Sequence, residues 1–260
     1  MLLLFLTGCI FWSKPPPQAP ENLEDLCKYI FKHLDDEEEE ELQAGLTNLH
    51  TWLNTGDNLD STVAGYQVHN LADTDIANLD ERQRTIGDNL IGAAVGYRHV
   101  YSPSELSRAM FVADWPSVVG GTYDEYDRQF SQDPSCIVNR DCLWLDYLTE
   151  STSTWVGLVT VISRNIGEIR WIETDLGWML IQRTWLIEPA DISWDGIDLN
   201  SNYFVQVTMP NGTSGAIRTS ATWIDTDYGA LPVDEDWAKN QVIDQMQQQD
   251  ISIENWLNEN

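Results

Sequence analysis

The stretch YFVQVTMPNGTSGAIRTSATWID, residues 203–225, decides the architecture. Tyr203, Val205, Val207 and Met209 alternate on one face, which is the two-residue period of a strand half buried against a core. Pro210-Asn211-Gly212 supplies the residues of a tight hairpin turn, and Ala216 to Asp225 returns as the partner strand. Working upstream, Trp155 to Ile162, Glu168 to Glu173 and Trp178 to Ile187 are rich in β-branched and aromatic residues, with turns expected at Arg164 to Gly167 and Asp175 to Gly177. The run predicts a meander of antiparallel strands. Downstream, Asp234 to about Leu257 places Ala238, Val242, Met246, Ile253, Trp256 and Leu257 on one side of a long helix.

Ahead of the meander, Ala93 to Tyr101 reads as a strand, with Val95, Tyr97 and Val100 as candidates for burial. Ser102-Pro103-Ser104-Glu105 follows as a helix start, with Ser102 as the cap, Pro103 in the first turn and Glu105 as the box partner. Leu106, Met110 and Ala113 face inward from that helix. Tyr123, Tyr126 and Phe130 continue a helix-like spacing. This order of strand, short helices, antiparallel strands and long terminal helix, from about residue 93 to the end, resembles the START-like superfamily with its helix-grip fold. The resemblance implies a curved sheet gripping the last helix over an apolar cavity. A small α+β sandwich without a cavity is the alternative.

Leu23, Leu26, Cys27, Ile30, Phe31 and Leu34 recur at three- and four-residue steps and predict an amphipathic helix. Asp35 and Asp36 are expected to cap a second helix, with Glu37 to Glu41 in its first turn and Leu42, Leu46, Leu49 and Leu53 as its stripe. The acidic run reads as a solvated helix start. Residues 57–89 are polar and weakly periodic and read as surface loop. The fold class is therefore α+β: an N-terminal helical hairpin (22–56), a polar connecting segment (57–92), and an antiparallel-sheet domain with a long C-terminal helix (93–260).

Leu2 to Leu6 is too short an apolar run to span a bilayer, which needs about 20 such residues, and reads as the end of a signal peptide (1–8) whose true start lies upstream of Met1. Leu6-Thr7-Gly8-Cys9 resembles the bacterial lipobox. That resemblance implies acylation of Cys9 and a mature chain held on the cell envelope, at the outer membrane, facing the periplasm or the surface. Residues 9–21, with Pro15-Pro16-Pro17, form a linker that stands the globular part off the membrane.

The 42 acidic against 14 basic residues give a net charge of −28, which repels nucleic acid and anionic headgroups. The membrane is thus reached through the lipid anchor. Cys136 and Cys142 flank a short loop and are expected to pair in an oxidising compartment, while Cys27 sits on the apolar face of its helix. His33, His50, His69 and His99 lack metal spacing, and no phosphate loop, nucleophile elbow or dinucleotide fingerprint is present, so no cofactor, metal or catalytic residue is assigned. Trp155, Trp171, Trp178, Trp185 and Trp223 lie on predicted strands and are candidates to line a pocket, or else simply to pack the core. The functional expectation is an anchored envelope protein that binds a hydrophobic small molecule or another envelope protein. The alternatives are an envelope hydrolase using paired carboxylates and a structural surface lipoprotein.

Overall fold

The fold is that of a computed structural model which describes residues 18–79, 86–87, 90–120, 123–155, 159–229 and 235–260, the side chains of Trp155 and Glu235 excepted. The signal segment, Cys9 and the triple proline lie outside the described residues.

In chain order the elements are α1 (Leu23–Lys32), α2 (Glu40–Leu53), α3 (Asn58–Val63), β1 (Tyr66–Gln67), β2 (Ile91–His99), α4 (Pro103–Met110), α5 (Pro116–Val119), β3 (Glu125–Phe130), α6 (Ser135–Asn139), β4 (Trp144–Trp155), β5 (Val159–Thr174), β6 (Gly177–Leu186), β7 (Asp191–Ile192), β8 (Asp198–Asn211), β9 (Gly215–Asp227) and α7 (Glu235–Glu259). The strands form one antiparallel sheet in the order β1-β2-β9-β8-β6-β5-β4-β3, with β7 paired to β5. The chain returns from β9 to pair with β2, so the first long strand and the last lie side by side, and α7 packs against β2.

The quoted hairpin sets the register. Asn211 pairs with Gly215 and Tyr203 with Trp223, and Gly212 takes φ +68°, a value that favours glycine at the turn. One face of β8 and β9 carries Tyr203, Val205, Val207, Met209, Ile217, Ala221 and Trp223 into a core shared with Leu26, Ile30, Phe31, Leu46 and Leu49 of the α1–α2 hairpin. The other face carries Ala216, with Trp171, Leu180, Ile169 and Leu145 of neighbouring strands, into a core with Leu106 and Met110 of α4 and Ile253 of α7. The sheet is thus covered on both sides, by the hairpin on one face and by α4, α5 and α7 on the other.

The capping box forms as expected: the Ser102 hydroxyl accepts from Glu105 N, and the Glu105 carboxylate accepts from Ser102 N at 2.8 Å. Four local expectations are corrected. Tyr126 and Phe130 lie in strand β3, because Tyr126, Arg128 and Phe130 alternate inward against β4; the three- and four-residue steps from Tyr123 imitate a helix. Residues 164–167 are the middle of the 16-residue strand β5, not a turn. Gly167 is needed there because a Cβ at that position would lie 2.0 Å from the Tyr147 ring, so the glycine marks close packing. The polar segment contains α3 and β1. Finally, α2 begins at Glu40 with no side-chain cap, because Asp35 faces Arg183 and Asp36 faces His33.

Candidate functional site

α7 meets the sheet in two different ways along its length. Its C-terminal half is fastened by charge. Arg218 on β9 and Asp250 on α7 are both buried, and the guanidinium donates to Asp250 Oδ1 at 2.6 Å and to the Gln206 side chain on β8. On β2, His99 places Nε2 3.2 Å from Asp250 Oδ1 and Nδ1 3.2 Å from Glu254 Oε1. Tyr97 donates to Glu254 Oε2 at 3.2 Å. His99 thus lies between carboxylate oxygens of two α7 residues, and Arg218 faces one of the same carboxylates. Burial lowers the proton affinity of the Arg218 guanidinium, and the neighbouring Asp250 pulls it back up.

In the N-terminal half of α7 the packing is apolar: Ala93 and Val95 of β2 pack with Ile243, Met246 and Val242, and near the helix middle Gln247 donates to the Val63 carbonyl at 2.5 Å. Beside them runs a cleft lined by Ile91, Ala93 and Ile224 of the sheet and Ala238 and Val242 of α7, with Tyr228 and Lys239 adding the polar groups. Its free volume is about 10 Å³, room for a single water. Trp237, 45% exposed, stands edge-on to Tyr228 with ring centroids 6.1 Å apart.

The tryptophans are divided between the two faces. Trp171 is fully buried on the α7 face, where its indole N–H donates to the Ile137 carbonyl at 2.7 Å, and Trp178 packs beside it half-buried. Arg140 lies over both rings. Trp185 and Trp223 are fully buried on the opposite face beneath the helical hairpin. Trp155 ends β4, and its side chain is not among those described. The described cleft is lined by other residues. Cys136 and Cys142 form the expected disulfide, and Cys27 is buried and free.

Arg218, Asp250 and Glu254 have no role in the sequence reading, and His99 appears there only as a histidine without metal spacing. Two signals could have found them: an arginine on the inward face of a strand, between Ala216 and Ser220, and two acids four residues apart on the helix stripe. The hairpin connector also brings together His33, Asp36 and Glu41. Among the described residues no helix is long and apolar enough to cross a membrane.

No protein-family model and no curated protein matches the chain. Solved structures do. The lipid transfer and protein localization domain of human StarD13 is 11% identical with a TM-score of 0.43, covering 66% of this chain and 80% of that one. Ara h 8.0201 is 11% identical with a TM-score of 0.41, covering 66% and 99%. A START superfamily protein from Mycobacterium smegmatis is 7% identical with a TM-score of 0.38, covering 65% and 97%. These likenesses concern the arrangement of sheet and helices, and at such TM-scores they assign neither ligand nor activity. The α+β sheet with its gripped terminal helix stands on the chain's own topology.

Proposed function

We propose that the chain is a non-enzymatic, lipid-anchored envelope protein that binds a small apolar molecule between the sheet and the N-terminal half of α7. The cleft of Ile91, Ala93, Ile224, Ala238 and Val242 carries this reading, because it joins apolar walls to a few polar groups, the usual make-up of a small-molecule site. Its present volume admits no ligand, so binding requires the first turns of α7 to lift. The distribution of fasteners supports that motion: the buried ion cluster pins α7 at Asp250 and Glu254, while the first turns pack on the sheet through the apolar seam of Ala93, Val95, Val242 and Ile243. The anchor rests on the lipobox resemblance at Cys9, outside the described residues.

An uncharged apolar fluorophore such as N-phenylnaphthylamine, titrated into the full chain carrying Cys9→Ser, tests the site. Saturable binding that Ala238→Phe removes, with the fold intact by circular dichroism, supports it. Equal binding in that variant, or none in the parent, refutes it. The same Cys9→Ser change is expected to move the protein from the membrane to the soluble fraction, and retention on the membrane refutes the anchor.

A further inference from the structure

Between α1 and α2, His33, Asp36 and Glu41 each bring one ligand atom into a group within 4.8 Å of one another. The three come from different places: the C-cap of α1, the connector, and the first turn of α2. Asp36 Oδ2 lies 2.5 Å and Glu41 Oε2 2.9 Å from the same atom, His33 Nδ1. That nitrogen carries at most one hydrogen, yet two carboxylates approach it.

Two of the neighbouring acids are engaged by arginines of the sheet. Asp35 pairs with Arg183 and Glu39 with Arg170, so the sheet's arginines neutralise two members of the run. Among the described residues, neither Asp36 nor Glu41 has a lysine or arginine partner, and both face the imidazole. The connector is also fixed in place: Arg170 donates to the carbonyls of Leu34 and Asp36 at 2.8 and 2.9 Å. The Tyr29 ring rests on the His33 ring at 4.3 Å between centroids.

We propose that His33 Nδ1, Asp36 and Glu41 bind a divalent transition-metal ion, with water completing the shell. An imidazole with two carboxylates suits zinc and its first-row neighbours, whereas calcium and magnesium take all-oxygen shells. The ion would stand at about 2.0 to 2.2 Å from each ligand, would bind Nδ1 through its lone pair, and would cancel the charge of both carboxylates. It would clasp α1 to the start of α2, an end that has no side-chain cap of its own.

Zinc titration by calorimetry into the full chain carrying Cys9→Ser, chelator-treated and held in excess magnesium to occupy the diffuse acidic surface, tests this. One equivalent is expected to bind. Glu41→Gln should lower the affinity roughly tenfold or more and His33→Gln should abolish it, while His50→Gln and His69→Gln leave it unchanged. Zinc should also raise the melting temperature of the parent but not of the His33 variant. Glu41 is 46% exposed, so its amide keeps the test valid even if His33→Gln impairs folding. Absence of saturable binding over magnesium, or zinc binding that survives Glu41→Gln unchanged, overturns the proposal.

Discussion

Replacing Arg218 with methionine is expected to be among the most damaging single changes in the sheet. The guanidinium is 1% exposed and faces an Asp250 carboxylate that is likewise 1% exposed. Removing one member of a buried pair leaves the other as an uncompensated charge, which costs about 3 to 5 kcal/mol. In a domain of this size each kcal/mol lowers the melting temperature by about 2 to 4 °C, so the expected loss is about 6 to 20 °C. The double variant Arg218→Met/Asp250→Leu should recover part of it, because an apolar pair of similar volume removes both desolvation penalties while His99 Nε2 and the Gln206 side chain each lose a partner. Recovery is favoured further because Arg218 Nε and Asp250 Oδ2 make no hydrogen bond among the described residues. Guanidinium denaturation of the parent, both singles and the double gives the coupling directly, provided the slope with denaturant stays constant. A single-variant loss below about 1 kcal/mol, or a double variant as unstable as the sum of the singles, refutes the view that the pair fastens α7 by mutual compensation.

Burial pushes the Cys27 thiol up to about 12, so a disulfide-exchange reagent at neutral pH should label it only as fast as the protein unfolds; immediate labelling of the folded Cys9→Ser chain contradicts this. Gly167→Ala should cost on the order of 1 to 3 kcal/mol, because the new methyl meets the Tyr147 ring, and a melting curve within error of the parent would show that the ring can move aside. Burial raises the Glu168 carboxyl above its ordinary value of 4.5 more than Arg183 lowers it. The folded state therefore binds that proton more tightly than the unfolded one, and the carboxyl's contribution falls as pH rises from about 4.5 through the folded value. The stability difference between the parent and Glu168→Gln should fall across that window, and a rise would mean that the Arg183 pair dominates. Reducing Cys136–Cys142, six residues apart, should cost about 2 kcal/mol from the loop entropy released in the unfolded chain; a calorimetric scan with and without reductant measures it.

The parts of the fold that were legible in the sequence are those whose signal is local. The 203–225 hairpin, the Ser102 capping box and the stripe of α1 each depend on residues within a few positions of one another, and each forms as read. A turn is expected inside what is the single strand β5 because Arg164, Asn165 and Gly167 have turn-like composition. The reason for the glycine is a ring on the next strand, which no local window contains. The start of α2 was set too early for a similar cause. Asp35 and Asp36 have the chemistry of caps, but distant Arg183 and the nearby imidazole compete for them. The aromatic stripe named five tryptophans without saying which face each would occupy, and that depends on strand parity counted across several turns. The charged seam under α7 was the least legible. Its members come from β2, β9 and α7, and each by itself resembles an ordinary surface charge in a very acidic chain.

That acidity is stronger at the surface than the composition suggests. Of the 14 basic residues, Arg183 and Arg218 are buried, and Arg128 and Arg170 are half-buried beneath aromatic rings or helix ends. These cations serve as internal fasteners: Arg170 and Arg183 hold the helical hairpin to one face of the sheet, and Arg218 holds α7 to the other. Carboxylates remain in excess outside. Salt should act on the two populations differently, because exposed repulsion is screened within about 10 Å at ordinary ionic strength while buried pairs are screened far less. Raising ionic strength should therefore relieve the surface and leave the fasteners in place, which makes the fold more stable in salt even though it depends on ion pairs. The two halves of α7 follow the same division. The charged half is bound through the buried Arg218–Asp250 pair, and the apolar half lies beside the cleft.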